Sequence, residues 1–166
     1  MAAIPDVRVD QLPGHDGLTV IASHNGYMPA YGLTHLRRLD MRNDGNRVWA
    51  EDTIWEGAGP GRGDRVVAGG NPNSRRHRLA IRFHLHPDVG VNHHPGSGRT
   101  DVELPDGETW QFRFEGPARL ELEESRYLDE DSHQIRPSSQ IVLHSDTREG
   151  VAQLRWEIGR IRERQT

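Results

Sequence analysis

The amino-acid sequence predicts an all-β protein, an antiparallel β-sandwich of about ten strands. In most segments apolar residues alternate with polar ones, and this period of two places the apolar side chains on one face of a strand. Turn-forming residues separate the segments at intervals of roughly 8 to 12 residues, which is typical of sandwiches and barrels. Only the last dozen residues have a pattern that a helix could share. The chain has 166 residues and no internal repeat or linker, so one domain over residues 1–166 is predicted.

The first half of the chain contains three predicted strands and one long loop. Residues 18–22 are a short apolar run. Residues 33–41 alternate, and one side of this strand carries Leu33, His35, Arg37, Leu39 and Met41. The tetrapeptide Asn43-Asp44-Gly45-Asn46 predicts a hairpin turn, from which residues 48–54 return. Residues 57–74 are rich in Gly, Pro, Asn and Arg, which predicts a long loop.

The second half consists of shorter alternating segments. Residues 79–86 form the clearest strand, and residues 89–98 are predicted to be a loop. A short strand at residues 102–104 leads into the turn Pro105-Asp106-Gly107. Four more segments have strand patterns, and they lie at residues 110–114, 120–123, 140–143 and 152–158.

The segment Arg82-Phe83-His84-Leu85-His86-Pro87 carries the clearest chemical signal. Alternation turns its apolar residues towards a core and places Arg82, His84 and His86 together on the opposite face. Guanidinium and imidazole groups bind anions, and imidazole also transfers protons and ligates metals. Two histidines two residues apart suit one metal ion and suggest a small cupin-like metalloenzyme, although no Glu follows at the position that the cupin motif requires. A solvated strand face is the competing interpretation.

Composition excludes several classes of function. The formal net charge of −4 gives no general attraction to nucleic acid or to an anionic membrane, so neither is expected as a partner. The chain has no Lys and no Cys, which excludes a lysine Schiff base, a disulfide framework and a thiolate site. The first five residues do not resemble a signal peptide, and no apolar run is long enough to span a bilayer.

A series of short motifs follows in a fixed order over about residues 6 to 158. The series consists of Ser23-His24-Asn25-Gly26-Tyr27, Tyr31-Gly32-Leu33-Thr34-His35-Leu36-Arg37-Arg38, Gly45 to Glu51-Asp52-Thr53, the Arg82–Pro87 segment, Leu104-Pro105-Asp106-Gly107-Glu108-x-Trp110, Leu122-Glu123-Glu124-Ser125-x-Tyr127-Leu128 and Gln140-Ile141-Val142-Leu143. This ordered series resembles the C-terminal, super-sandwich-like β-sandwich of the heparinase II/III-like polysaccharide lyases.

The resemblance implies part of a two-domain enzyme. In that family an α/α toroid precedes the sandwich, and an acidic polysaccharide such as a glycosaminoglycan lies in the cleft between them. The reaction is β-elimination, in which the uronate carboxylate is neutralised, a base removes the C5 proton and an acid protonates the leaving O4. By resemblance, His84 matches the catalytic histidine of the cleft. His86 matches a neighbouring ligand of a metal, which would be zinc or another divalent ion.

Six further residues are expected to bind the acidic polysaccharide or oligosaccharide: His24, Tyr27, His35, Arg37, Arg38 and Arg82. Guanidinium pairs with two oxygens of a carboxylate or sulfate at once. We expect the histidines at 24, 35, 84 and 86 to lie with Tyr27 on one exposed face, beside Arg37 or Arg82. Because residue 35 shares its strand face with apolar residues, a buried and hydrogen-bonded histidine is the alternative there.

No toroid precedes the sandwich in this sequence, so the chain is expected to be an excised domain or a stand-alone descendant. Alone it is expected to be inactive as a lyase, with an N-terminal α/α toroid as its missing partner. The resemblance is compatible with a periplasmic, secreted or cytoplasmic bacterial protein. Two other classes remain open, namely a non-catalytic carbohydrate-binding or interaction module and the small cupin-like metalloenzyme.

Overall fold

A computed structural model describes residues 6–14, 16–57, 73–130 and 132–161. These residues form two antiparallel sheets and one helix of four residues, which confirms the predicted all-β sandwich. The helix α1 is Met28–Tyr31. The eleven strands among the described residues are β1 (Val7–Gly14), β2 (Gly17–His24), β3 (Leu33–Arg42), β4 (Arg47–Glu56), β5 (Arg78–His84), β6 (Gly90–His94), β7 (Arg99–Glu103), β8 (Thr109–Glu115), β9 (Arg119–Leu128), β10 (Ile135–Asp146) and β11 (Val151–Arg160).

One sheet has eight strands and the other has three. The strand order is β1-β2-β3-β4-β11-β8-β7-β6 in the large sheet and β5-β10-β9 in the small one. The predicted turn between β3 and β4 is present, because Gly45 N–H donates to the Arg42 carbonyl at 3.0 Å. Gly45 has a φ of 68°, a conformation that glycine adopts without steric cost. No helix among the described residues has the length and apolar composition needed to cross a membrane.

The core lies between the two sheets. Phe83 of β5 packs its ring 4.9 Å from Phe112 and 4.7 Å from Trp156, both in the large sheet. Ile141 and Leu143 of β10 are almost fully buried beside it. Burying one such side chain stabilises the fold by about 1.5–3 kcal/mol. These contacts define the inner face of each sheet, which is the face turned towards the other sheet.

The inner face of the large sheet changes from apolar to polar along its strands. On β4, Ala50 and Asp52 point the same way because they are two residues apart, and both are buried. On β3, the same alternation places Leu39, Arg37 and His35 on this face. Leu39 packs against the core, and Arg37 and His35 lie progressively further from it along the strand. Polar groups therefore continue the core surface across β2, β3 and β4.

Several local predictions were wrong. β1 was not predicted, and it is an edge strand whose residues are all exposed, so no apolar face marks it in the sequence. β6 lies inside the loop predicted at residues 89–98, because pairing with β7 extends this polar segment. The last dozen residues, whose pattern a helix could share, instead continue strand β11 as far as Arg160. Residues 58–72 of the predicted long loop and residues 162–166 lie outside the described part of the chain.

Candidate functional site

A row of polar side chains crosses four neighbouring strands on the inner face of the large sheet. The register places His24 of β2 opposite His35 of β3, and Arg37 of β3 opposite Asp52 of β4. Trp156 of β11 completes the row through its indole nitrogen. Antiparallel pairing thus brings together residues that are up to 132 positions apart, since the row runs from position 24 to position 156.

Asp52 is the centre of this row and is only 2% exposed. Its Oδ1 accepts hydrogen bonds from His35 Nε2 at 2.7 Å and from Arg37 Nε at 2.7 Å. Its Oδ2 accepts from Arg37 Nη2 at 3.0 Å and from Trp156 Nε1 at 2.8 Å. Burial raises the pKa of the Asp52 carboxyl, but the hydrogen bonds from these three partners outweigh burial and hold that pKa below its usual value. Asp52 is therefore a buried carboxylate with donors on both oxygens.

The two histidines extend the row towards solvent. His35 Nδ1 lies 3.2 Å from His24 Nε2, and His24 Nδ1 accepts from the Gly26 N–H at 3.2 Å. With both rings neutral, this pattern requires a proton on Nε2 of each histidine. Protons then point from His24 to His35 and from His35 to Asp52. Burial, and then repulsion from His35, lowers the pKa of the His24 imidazole.

Tyr27 forms the rim of this site. Its ring centroid lies 5.1 Å from that of His24, and its side chain is exposed. Tyr27 occupies the N-cap position of α1, which ends at Gly32 in the left-handed conformation. On the other side, the guanidinium of Arg37 lies 5.6 Å from the centre of the Trp156 ring. The cluster His24–Tyr27–His35–Arg37–Asp52 is called the inner-face cluster below.

The structure does not bring His84 and Arg82 to the inner-face cluster, so the prediction of one shared face was wrong. Phe83 points towards the large sheet, and its two neighbours on β5 therefore point away from it. His84 Nδ1 lies 2.8 Å from Ser125 Oγ, and Arg82 Nη2 lies 4.0 Å from Glu123 Oε2, both on the outer face of the small sheet. Alternation identifies the core side of a strand, but it does not show which sheet the strand joins.

Arg38 and His86 also lie apart from the cluster. Arg38 is on the outer face of the large sheet, where its Nε donates to Asp40 Oδ2 at 2.8 Å, and this bond raises the pKa of the guanidinium. His86 follows the end of β5, and its ring lies 4.7 Å from that of Tyr127. Its Nδ1 accepts from the Asp88 N–H at 3.2 Å. The role of His86 as a metal ligand stays a prediction.

A second group combines imidazole and carboxylates. Glu121, Glu123 and His144 each offer one ligand atom, and these atoms lie within 4.8 Å of one another on the outer face of the small sheet. Sequence reasoning missed this group because its members lie on two strands whose register the sequence does not show. It also left out Asp52 as a site residue. The only signal for Asp52 is its place between Ala50 and Ile54 on a core-facing side, where a carboxylate needs hydrogen-bond partners.

Comparison with known proteins gives a family match over most of the chain. The sequence model described as "Heparinase II/III-like, C-terminal" matches residues 1–157. A search of curated proteins by sequence found no match.

Solved structures with a similar fold include one of a heparan sulfate lyase and two of a heparinase III. The heparan sulfate lyase HepC from Pedobacter heparinus is similar with a TM-score of 0.71 and 12% identity, over 96% of this chain and 22% of the lyase. The heparinase III BT4657 gene product has a TM-score of 0.71 and 10% identity, over 94% of this chain and 22% of that protein. A further heparinase III has a TM-score of 0.70 and 10% identity, over 93% and 21%. The chain thus spans about a fifth of the length of these proteins.

Proposed function

Because the chain belongs to the heparinase II/III-like family, whose C-terminal domain it matches, we propose that it forms one wall of a polysaccharide-lyase cleft. The polysaccharide is acidic and contains uronate, and it is cleaved by β-elimination. The inner-face cluster is the part of the wall that faces the sugar. The observation that carries this proposal is the hydrogen-bonded row from buried Asp52 through His35 to His24, which ends beside exposed Tyr27.

The row has the properties of a proton-transfer group. Asp52 holds the proton of His35 on Nε2, which leaves His35 Nδ1 to accept from His24. The lowered pKa of His24 keeps its imidazole neutral near pH 7. In this arrangement the proton-accepting atom of His24 is Nδ1, whose lone pair otherwise accepts the Gly26 N–H at 3.2 Å. Such a neutral imidazole beside a phenol suits the removal of a proton next to a carboxylate and the protonation of a leaving oxygen. His24 therefore fits the role of the cleft histidine better than His84, which lies on the outer face of the other sheet.

The cationic part of the cluster suits an acidic sugar. Arg37 binds Asp52 through two nitrogens, and its side chain is still about one-third exposed. Asp52 balances the charge of Arg37, so the guanidinium contributes hydrogen-bond donors from its exposed part rather than net positive charge, and such donors suit a carboxylate or sulfate.

The remaining catalytic groups would come from a second domain. The similar structures are more than four times as long as this chain, since nearly all of it covers only 22% of them. Val7 and Val9 lie on the edge strand β1, next to the cluster. Their pairing with β2 places them on the inner face of the large sheet, as it does His24, but both side chains are exposed. Tyr31 at the end of α1 is exposed as well. Apolar groups in such a position favour contact with another domain, and a helical domain N-terminal to the sandwich is the proposed partner.

The test is the formation of unsaturated uronate, measured by ultraviolet absorbance. The assay uses heparan sulfate and other uronate polymers, with the native polypeptide that contains this chain or with the chain plus a helical lyase domain. His24→Gln should lower kcat by about 100-fold or more. His94→Gln is the matched control, because His94 pairs with Asp101 at the far side of the large sheet. Equal rates for the two variants would overturn the assignment of His24. Binding without turnover in every arrangement would favour a carbohydrate-binding module instead.

A further inference from the structure

We propose that the outer face of the small sheet binds a divalent transition metal, best fitted by zinc, between Glu121, Glu123 and His144. This outer-face cluster is separate from the inner-face cluster, and the proposal does not depend on the proposed lyase function. Glu121 and Glu123 are two residues apart on β9 and therefore share a face. His144 lies on the neighbouring strand β10.

The distances fit tetrahedral zinc. His144 Nε2 lies 3.2 Å from Glu121 Oε2 and 3.0 Å from Glu123 Oε1. In a tetrahedral site with ligands about 2.0–2.2 Å from the ion, neighbouring ligand atoms are about 3.3–3.6 Å apart. Side-chain shifts of a few tenths of an ångström therefore open a place for the ion. Three protein ligands leave the fourth position for a water molecule.

Each carboxylate is already held by its other oxygen. Arg119 Nη1 pairs with Glu121 Oε1, while Glu121 Oε2 faces His144. Gln140 Nε2 donates to Glu123 Oε2 at 3.1 Å, while Glu123 Oε1 faces His144. Hydrogen bonds to the second oxygen of a ligating carboxylate are the usual way in which proteins orient metal ligands. Here they direct the other oxygen of each glutamate at His144 Nε2, and an incoming ion would replace the proton that Nε2 shares with these oxygens.

An unsatisfied acceptor at the cluster is a second, independent observation. Gln140 is 7% exposed and lies directly opposite Glu123 in the β9–β10 register. Its Oε1 is buried and has no hydrogen-bond partner within the described part of the chain. A buried acceptor without a donor costs about 1–3 kcal/mol. Nε2 of the same amide donates to Glu123 Oε2, so the unsatisfied oxygen belongs to a side chain in direct contact with the cluster, and a water molecule held by a bound ion is the kind of donor that it lacks.

Burial and charge define the kind of ion. Val142, between the ligands, is completely buried on this face, so the ligand side chains lie over an apolar floor. Glu121 and Glu123 keep 37% and 33% of their side chains exposed, which leaves a path for an ion. One imidazole nitrogen with two carboxylates favours zinc and similar first-row ions over magnesium or calcium. Arg119 and Arg82 also face the cluster, and their charge lowers its affinity for any cation.

The test is zinc binding by the purified chain, prepared without a histidine tag and stripped of metal. Isothermal titration and metal analysis are expected to show one zinc ion that is lost in Glu123→Gln and in His144→Ala. His94→Ala and His35→Ala are the controls, because these histidines lie in the large sheet. Replacing Gln140 by Leu should weaken binding about 10–100-fold. Cobalt in place of zinc should give visible absorption typical of a tetrahedral site.

Several results would overturn the proposal. Stoichiometric zinc in both ligand variants, no zinc in the parent chain, or zinc lost only in His35→Ala would each do so. Circular dichroism of each variant shows whether it is folded. If Glu123→Gln does not fold, Glu121→Gln replaces it, since both glutamates are on the exposed face and the change keeps the side-chain shape.

Discussion

The inner-face and outer-face clusters both combine imidazole with carboxylate groups, but their carboxylates differ in burial. Asp52 is 2% exposed, and fixed donors occupy both of its oxygens. Glu121 and Glu123 are about one-third exposed, and each directs one oxygen at His144 while the other oxygen is held. A buried carboxylate has to be fully paired, and it then serves to orient the groups that bind it. A half-exposed pair keeps the capacity to take up a cation.

The largest expected difference is in stability. Asp52→Asn should lower the free energy of unfolding by about 3 kcal/mol, because a buried ionic network loses its anion and leaves Arg37 without its partner. Glu123→Gln should change it by less than about 1 kcal/mol, because that site is partly exposed. Denaturant unfolding measures both variants against the parent chain. Equal losses would mean that burial does not distinguish the two clusters.

A smaller effect is expected from the indole hydrogen bond alone. Trp156→Phe keeps an aromatic ring against Phe83 but removes the donor to Asp52 Oδ2. Loss of a hydrogen bond to a charged group costs about 1.5–3 kcal/mol. Trp49→Phe is the matched control, because Trp49 is half-buried on the outer face of the same sheet. If both variants lose equal stability, ring size rather than the bond to Asp52 explains the effect.

The pH dependence of stability separates Asp52 from the exposed carboxylates. Its folded-state pKa is lowered, so the stability it contributes is complete above the unfolded-state pKa of about 3.9. This contribution is lost as the pH falls from there through the folded-state pKa. In Asp52→Asn that part of the acid dependence should be absent, whereas Glu123→Gln should follow the parent curve. Parallel curves for the parent and Asp52→Asn, measured by unfolding between pH 7 and pH 2, would contradict the assignment.

The fold was predictable where a strand has one apolar face. The alternation at residues 79–85 identified β5 and its core side, as the contact of Phe83 with Trp156 shows. β1 was not predictable because both of its faces are exposed and it owes its form to pairing with β2. Local patterns report burial, whereas an edge strand depends on a partner that is distant from the pattern itself.

The candidate site was predictable only in part, because it depends on register. His24, Tyr27, His35 and Arg37 were named from the sequence, and the pairing of β2 with β3 brings them together. His84 was placed with them wrongly, since the sheet that β5 joins is decided by long-range packing. Asp52 was missed because one carboxylate in an alternating segment resembles a solvent-facing one until its donors on two other strands are known.

The smallest expected effect concerns the proton affinity of His24. Burial and the neighbouring His35 ring lower its pKa, so its imidazole should titrate below about 6.5, as measured by NMR. As the pH falls through about 6.5, the unfolded chain takes up this proton first, and the folded state loses stability until the folded-state pKa is reached. Above that range the histidine adds no pH dependence. His35→Ala should raise the pKa of His24, because it removes the repulsion and opens the site to water, whereas His94→Ala should leave it unchanged. A His24 resonance that titrates above 6.5 in the parent chain would break the proposed order of proton donation from His24 to His35.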